Sequence, residues 1–255
     1  MRWRTAKGTG GVLDEVLPRH STLRRLDKTG REQVLASNLE GVVVVLSATS
    51  PPLVPWLMDR YLVAAHAGGM RVVLCLNKVD LGPEDNAMEE LQHRTALGVP
   101  LLSVSAHTGE GLGALRQLIA GARAPWALVG MSGVGKTSIL AALLPELDVG
   151  PVGEISEYWE AGKHTTTGSR IFALKTGGEL ADSPGIRSFV PAGLSHEDVR
   201  RHFPGMAELP CRYRDCLHRP GEDGCVAPEQ IAEPLLDSYR RLMAEVEEAT
   251  KPSYA

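Results

Sequence analysis

Hydrophobic residues along the chain form four short continuous runs, separated by segments in which apolar residues recur at helical spacing. The runs are Val42–Leu46, Val72–Leu76, Leu101–Val104 and Ala127–Val129. Helices are predicted at Val54–Ala67, Glu84–Ala96, Leu112–Ala120 and from Lys136, and a hairpin at Arg170–Leu174 and Glu179–Ala181. Continuous apolar strands that alternate with helices are typical of a parallel sheet covered on both faces. The pattern therefore predicts an α/β domain over residues 41–190.

The two ends of the chain have different patterns. Residues 1–40 contain one alternating run, Gly11–Pro18, which predicts one or two strands, too few for a self-supporting sheet. After Ile186, prolines punctuate short segments, and an amphipathic helix is predicted over Gln230–Glu248. We therefore expect a second domain after about residue 190, mainly helical.

Composition narrows the class of protein. The chain has 255 residues, of which 43% are hydrophobic, and a net charge of −4, which argues against a protein that coats nucleic acid, although its 27 Lys and Arg can still cluster. No apolar run approaches the length of a membrane span, and the basic start lacks the apolar stretch of a secretory signal. We expect a cytoplasmic protein that does not contact membranes; a chloroplast location would require a transit peptide that has been removed.

The strongest motif is Gly130–Thr137, which fits the phosphate-loop pattern G-x-x-x-x-G-K-[ST] between a predicted strand and a predicted helix. Backbone N–H groups of such a loop surround the phosphates, the lysine bridges the β- and γ-phosphates, and the hydroxyl of Thr137 would hold Mg²⁺. The alternative is a glycine-rich strand–helix turn with no ligand. The predicted nucleotide contacts here are Gly130, Ser132, Gly133, Val134, Gly135, Lys136, Thr137 and Ser138.

A second motif, N-K-x-D, follows the strand Val72–Leu76 and comprises Asn77, Lys78 and Asp80. A carboxylate there can accept hydrogen bonds from N1–H and the exocyclic amine of guanine, a pair that adenine does not offer. Ser105 and Ala106, after the next strand, are expected to lie against the base. Taken alone, each motif also fits a solvated strand end.

Asp182 and Gly185 fit the pattern D-x-x-G at the end of the predicted hairpin. The aspartate can hold a water on Mg²⁺, and the glycine can respond to the γ-phosphate. Between this motif and the phosphate loop lie Thr165, Thr166 and Thr167, one of which could complete the Mg²⁺ shell as a nucleotide-dependent switch. Three consecutive threonines also fit a polar loop or an edge strand.

The order of these motifs is unusual, because N-K-x-D precedes the phosphate loop, whereas most GTPases have the reverse order. Such an order would arise if the ends of a GTPase domain were joined and the chain were cut after D-x-x-G. The second switch then leads directly into the C-terminal domain, so nucleotide-dependent changes would pass to that domain through the chain.

Three of the four cysteines lie within fifteen residues, which in a cytoplasmic protein favours a metal site over disulfides. Three thiolates and an imidazole form a complete tetrahedral set for structural Zn²⁺. The alternative is a group of buried cysteines beside a surface histidine. Cys75, on a predicted strand, is expected to be a core residue. The predicted ligands are Cys211, Cys216, His218 and Cys225.

This succession of motifs, with Val16–Arg19, Ala36–Asn38 and Asp59–Tyr61 ahead of it, closely resembles the ribosome-small-subunit-dependent, circularly permuted GTPases of the RsgA/YjeQ type over about residues 11–248. The resemblance implies a late assembly factor of the small ribosomal subunit that contacts its rRNA. It implies an OB-fold segment over residues 1–40, partial or truncated, a permuted GTPase domain over 41–190 and a zinc-binding domain over 191–255. GTP with Mg²⁺ and one structural Zn²⁺ are the implied ligands.

The residue that orients the attacking water differs from that of many GTPases. Ile186 follows Gly185, where many GTPases have a water-orienting glutamine, so another group must orient the attacking water. His164, beside the switch threonines, is the nearest candidate, and the matching histidine of the resembled family is proposed to turn toward the γ-phosphate on the ribosome. The alternative is a surface-loop histidine.

Two other classes of protein remain. A metabolic P-loop enzyme such as a kinase would share the phosphate loop, but N-K-x-D and the lack of an evident acceptor-substrate domain argue against it. A GTP-dependent RNA- or protein-binding switch with little turnover would share every motif. The expected enzyme is a monomer that binds GTP and GDP and hydrolyses GTP on the small subunit.

Overall fold

The computed structural model describes residues 2–5, 11–26, 31–145, 170–182 and 193–250. Its N-terminal part forms two antiparallel hairpins, so the prediction of one or two strands was wrong in number. The hairpins pair β1 (Arg2–Thr5) with β2 (Gly11–Glu15), and β3 (Thr22–Leu26) with β4 (Glu32–Ser37). Arginines and acidic residues within these strands obscure the alternation of polar and apolar positions from which strands are predicted. Leu23 is nevertheless buried in the core of the central domain.

A six-stranded sheet forms the centre of the molecule, in the order β7–β6–β5–β8–β10–β9. The first five strands in that order are parallel, and β9 pairs antiparallel with β10, which confirms the predicted parallel sheet and hairpin. The strands are β5 (Gly41–Ser47), β6 (Arg71–Asn77), β7 (Leu101–Ser103), β8 (Trp126–Val129), β9 (Arg170–Ala173) and β10 (Glu179–Asp182).

Helices cover both faces of the sheet and make up most of the C-terminal part. They are α1 (Pro55–Ala67), α2 (Asp85–Thr95), α3 (Leu112–Ala120), α4 (Lys136–Leu143), α5 (His196–His202), α6 (Ala227–Gln230) and α7 (Glu233–Thr250), with a 3₁₀ turn at Val79–Leu81. The closing helix begins three residues later than predicted, because Ile231 is extended and ends α6. Pro234 then occupies the first turn of α7, where its missing N–H costs nothing. None of the helices in these described ranges is long and apolar enough to cross a membrane.

Strand β5 shows why the sheet has two cores. All seven of its residues are buried, and successive side chains point to opposite faces. Val42 and Val44 pack with Met58, Leu62 and Leu91 of α1 and α2. On the other face, Val43 and Val45 pack with residues of α3 and α4, among them Leu115, Ile119, Ile139 and Leu140. A strand that is buried on both faces consists of a continuous run of apolar residues, and that run is the pattern that predicted β5.

The C-terminal helices share a third core with the central domain. Phe203, which follows α5, and Tyr239 of α7 meet edge to face, with ring centroids 5.3 Å apart. Val63 of α1, fully buried, belongs to the same cluster. The predicted boundary near residue 190 lies outside the described residues, but α1 is packed on both sides and joins the two regions.

A buried ion pair reinforces that junction. Asp59 of α1 accepts two hydrogen bonds from the guanidinium of Arg94 of α2, at 3.0 and 2.6 Å, and neither side chain is exposed to solvent. Ser238 of α7 donates a third hydrogen bond to the same carboxylate at 2.6 Å. One carboxylate therefore connects two helices of the central domain to the closing helix.

Candidate functional site

The predicted nucleotide-binding segments all follow the carboxyl ends of parallel strands. The phosphate loop follows β8, N-K-x-D begins at the end of β6, Ser105 lies two residues after β7, and β10 ends at Asp182. Because these strands are parallel, their carboxyl ends meet at one edge of the sheet, where α/β proteins bind ligands. The fold thus brings the four segments together at that edge.

The phosphate loop has a backbone that only glycine can adopt at its tightest points. Gly130, Gly133 and Gly135 have φ values of 137°, 82° and 96°. A Cβ on Gly130 would lie 2.3 Å from the carbonyl oxygen of Val45, and one on Gly135 would lie 2.2 Å from Nδ2 of Asn77. Both positions therefore require glycine for space as well as for conformation.

The loop opens directly into α4, so its backbone amides meet the positive end of a helix. Nζ of Lys136 lies over the loop and donates to the carbonyl oxygens of Gly130 at 2.8 Å and Met131 at 2.6 Å. Thr137 and Ser138 lie in the first turn of α4. Val134 is buried and Ser132 is exposed. This arrangement has the donors that a phosphate chain needs: amides, an ammonium and two hydroxyls.

Asn77 fixes the phosphate loop against the predicted base-binding segments. Its side chain is 1% exposed. Nδ2 donates to the carbonyl oxygen of Val134 at 2.9 Å, and Oδ1 accepts from the backbone N–H of Ala106 at 3.1 Å. The amide uses its donor and its acceptor on two different loops, so neither aspartate nor leucine could replace it.

Lys78 extends the connection to a segment that the sequence analysis did not identify. Its backbone is left-handed, with φ of 68°, and Nζ donates to the carbonyl oxygens of Gly133, at 2.8 Å, and Ser50. Ser47, which is buried at the end of β5, donates to the same Ser50 carbonyl at 2.9 Å. No sequence signal pointed to Ser50, because its contribution is a backbone oxygen.

Asp80 and Ser105 lie in the segments that follow β6 and β7, at the same edge of the sheet as the phosphate loop. Asp80 is exposed in the 3₁₀ turn after β6. Ser105 is buried, and its hydroxyl accepts from the N–H of Thr108 at 3.0 Å, which shapes the loop that carries Ala106. The exposed carboxylate is free to accept hydrogen bonds from a ligand.

The switch residues of the prediction fall largely outside the described residues. These are His164, Thr165, Thr166, Thr167 and Gly185, and nothing is described of the side chain of Asp182. The end of β10 is described, and it lies beside β8, the strand that leads into the phosphate loop.

The four predicted metal ligands form one cluster, with their donor atoms within 4.8 Å of one another. Nδ1 of His218 lies 3.5, 3.4 and 3.5 Å from Sγ of Cys211, Cys216 and Cys225. A tetrahedral Zn²⁺ with ordinary Zn–N and Zn–S bond lengths sets an N–S separation of about 3.5–3.6 Å. The donor set therefore fits zinc in chemistry and in spacing.

Burial favours the neutral forms of two of the four ligands. Burial raises the pKa of the Cys216 thiol to about 12, so a bound cation is needed to hold it as thiolate at neutral pH. Burial lowers the pKa of His218, which keeps the imidazole neutral, the form that ligates metal. Four protein ligands complete a tetrahedron and leave no position for a substrate.

Comparison with known proteins agrees with the geometry. Residues 16–191 match the family described as RsgA GTPase. A curated relative from Pseudomonas fluorescens, the small ribosomal subunit biogenesis GTPase RsgA, is 41% identical over 97% of this chain and 74% of its own length. A relative of the same name from Azotobacter vinelandii is 40% identical over 96% of this chain and 73% of its own length.

Solved structures show the same architecture. The crystal structure of YjeQ from Thermotoga maritima superposes with a TM-score of 0.74, at 26% identity, over 93% of this chain and 79% of that one. YloQ, described as a circularly permuted GTPase, gives a TM-score of 0.70 at 22% identity, over 99% of this chain and 80% of that one. At that identity the second likeness concerns the fold, which is the permuted one that the motif order predicted.

Proposed function

Because this chain belongs to the RsgA GTPase family, we propose that it hydrolyses GTP to GDP and phosphate as a late assembly factor of the small ribosomal subunit. The observation that carries the nucleotide assignment is the Asn77 side chain, which joins the phosphate loop to the loop of Ala106 through hydrogen bonds of 2.9 and 3.1 Å. A side chain so placed aligns the phosphate-binding and base-binding loops for one ligand. The proposed partner is the small subunit with its rRNA, bound by a monomer in the cytoplasm.

The charged and magnesium-binding residues have distinct roles in this proposal. Asp80 accepts hydrogen bonds from guanine, and Lys78 holds the loop beside the base. Lys136 and the loop amides bind the β- and γ-phosphates. Thr137, Asp182 and one threonine of residues 165–167 hold Mg²⁺, which neutralises charge on the phosphates. The remaining contacts are Asn77, Ser105, Ala106, Gly130, Ser132, Gly133, Val134, Gly135, Ser138 and Gly185.

Turnover in this proposal depends on the ribosome. Ile186 has no group that could orient water, so His164 takes that role once the protein is bound to the small subunit. GTPases completed in trans gain about 10³–10⁵-fold in rate. Hydrolysis by the isolated protein should accordingly be slow.

The C-terminal cluster holds one structural Zn²⁺ in this proposal. The support is the N–S spacing of 3.4–3.5 Å at His218 and the closed set of four protein ligands. A closed site contributes folding free energy rather than chemistry.

Base reading is tested by Asp80→Asn, which replaces one acceptor oxygen with a donor. We expect GTP affinity to fall by about 100-fold or more, since a charged hydrogen-bond pair is lost and the new amide N–H opposes the exocyclic amine of guanine. Xanthosine triphosphate, which has a carbonyl oxygen in place of that amine, should bind the variant better than GTP. Asp85→Asn, just beyond the base-reading turn, is the matched control. Unchanged GTP affinity of Asp80→Asn, measured by fluorescent-nucleotide displacement, would show that Asp80 does not read the base.

A further inference from the structure

Glu222 lies beside the four-residue metal cluster without being part of it. Its carboxylate accepts two backbone hydrogen bonds, from the N–H of Leu217 to Oε1 at 3.2 Å and from the N–H of Arg219 to Oε2 at 2.9 Å. These two amides belong to the residues on either side of His218. One carboxylate therefore accepts hydrogen bonds from the backbone immediately before and immediately after a metal ligand.

The residue held in this way has an unfavourable backbone. His218 has φ of 55°, in the left-handed region that residues with a Cβ rarely adopt. This conformation turns Nδ1 toward the three sulfur atoms, at 3.4–3.5 Å. Since the chain on its own favours negative φ at histidine, contacts from elsewhere must stabilise the turn, and Glu222 supplies two of them.

The same carboxylate also contacts a second ligand. Its Oε2 lies 3.4 Å from Sγ of Cys216, a buried cysteine. In the metal-free cluster the thiol of Cys216 can donate its S–H to this oxygen, but a zinc-bound thiolate has no such hydrogen. The role of Glu222 toward the ion therefore rests on the two backbone hydrogen bonds beside His218. The hydroxyl of Tyr239 supports the turn independently, since it donates to the carbonyl oxygen of Leu217 at 2.9 Å.

We propose that Glu222 is a positioning residue of the metal site, which preorganises His218 for the ion. This inference rests on the structural zinc site proposed above. Groups that orient metal ligands typically change metal affinity by about 10–100-fold when they are removed. The role of Glu222 is distinct from ligation, because the four cysteine and histidine donors already complete a tetrahedron.

Asp223 offers a matched control, because it is the neighbouring carboxylate with none of these contacts. It pairs with Arg212 at 2.9 Å on the surface, and the side chains of that pair are 75% and 65% exposed. Removal of Asp223 changes the local charge as much as removal of Glu222 does, but leaves the turn at His218 intact. A comparison of the two variants therefore distinguishes two effects of Glu222. One is stabilisation of the turn at His218 by hydrogen bonds, and the other is attraction of a cation by negative charge.

The experiment uses the full chain as wild type, Glu222→Ala, Glu222→Gln and Asp223→Ala. Zinc affinity is measured by competition with a chromophoric chelator, and ligand geometry by the visible absorption of the Co²⁺-substituted proteins. We expect one zinc per wild-type chain, an affinity about 10–100-fold lower with an altered Co²⁺ spectrum in Glu222→Ala, and an intermediate loss in Glu222→Gln, which keeps one acceptor oxygen. Asp223→Ala should stay within about twofold of wild type.

Two results would overturn the proposal. Wild-type affinity and an unchanged Co²⁺ spectrum in both Glu222 variants would exclude a positioning role, as would equal losses in Glu222→Ala and Asp223→Ala. A wild-type protein purified without metal and unable to bind zinc would instead refute the metal site itself, and with it this inference. Helix content by circular dichroism verifies that each variant is folded.

Discussion

At the scale of single residues, the nucleotide site depends on close contacts that leave no room for a side-chain atom. Gly135 has φ of 96°, and its α-carbon faces the amide of Asn77. Asn77 in turn holds both the phosphate loop and the loop of Ala106. A change at Gly135 should therefore disturb the two loops together.

The substitution Gly135→Ala tests this packing. The new Cβ would lie 2.2 Å from Nδ2 of Asn77, in a backbone region that costs alanine about 1–2 kcal/mol. We expect nucleotide affinity to fall at least about tenfold, since 1.4 kcal/mol corresponds to a factor of ten. The control is Gly113→Ala in α3, where a Cβ meets nothing within 4 Å. Equal nucleotide affinities of the two variants by isothermal titration calorimetry would contradict this account of the loop.

The sequence predicted the identity of these residues but not their interactions. Gly130–Thr137 and Asn77–Asp80 could be found because fixed spacing along the chain encodes their local geometry. The hydrogen bond from Asn77 to Val134 joins residues 57 positions apart and depends on how three strands pack. Ser50 and Glu222 could not be identified from the sequence. Ser50 acts through its backbone, and Glu222 is a polar residue in an ordinary loop.

At the scale of elements, helix α7 is attached to α1 along one of its faces. Ser238 bonds Asp59, the guanidinium of Arg241 lies 4.3 Å from the ring centroid of Trp56, and Glu245 pairs with Arg60 at 3.1 Å. The α7 residues recur at spacings of three and four, so they lie on one side of the helix. The next residue after Ser238, Tyr239, bonds the metal-binding loop at Leu217. Helix α7 therefore connects the metal cluster to the central domain.

The contacts between α7 and α1 predict how three substitutions rank in their effect on the free energy of unfolding. Ser238→Ala removes one hydrogen bond to a buried charge and should cost about 1.5–3 kcal/mol of the free energy of unfolding. Asp59→Ala leaves the buried guanidinium of Arg94 with Glu90 alone as a charged partner and should cost about 3–5 kcal/mol. Arg201→Ala, in an exposed pair with Glu197, should change stability by less than about 1 kcal/mol. Urea denaturation measures all three, and a Ser238→Ala protein as stable as wild type would contradict the attachment.

The sequence predicted the bounds of the helices and strands better than the contacts between them. The buried strands and helices of the central domain were found within a few residues of their observed bounds, because periodicity is a local property. The N-terminal hairpins were undercounted because charged residues interrupt their alternation. The junction of α1 with α7 was not predicted, because Asp59 lies in a helix where an acidic residue is ordinarily solvated.

At the scale of the whole molecule, the permuted motif order places the last GTPase motif directly before the C-terminal region that carries the metal cluster. The D-x-x-G motif begins at Asp182, the last residue of β10, which pairs with the phosphate-loop strand β8, and the chain then continues to α5 and the metal cluster. The same two regions also share the core around Val63. We therefore expect a nucleotide-dependent change at this motif to pass to the C-terminal region through the chain.

We propose that the catalytic site of this GTPase is completed on the small ribosomal subunit. Ile186 cannot orient the attacking water, and His164 is the residue of this chain assigned to that role. The claim therefore requires that GTP binding be separable from stimulated turnover. His164→Ala should bind GTP nearly as wild type does and lose the stimulation.

Multiple-turnover release of phosphate, with and without purified small ribosomal subunits, tests this claim most directly. We expect slow release from the protein alone and a rise with saturating subunits that approaches the range of about 10³–10⁵-fold known for GTPases completed in trans. The His164→Ala protein should remain at its unstimulated rate. Equal wild-type rates with and without subunits would contradict the account, and full stimulation of His164→Ala would assign the missing group to the ribosome.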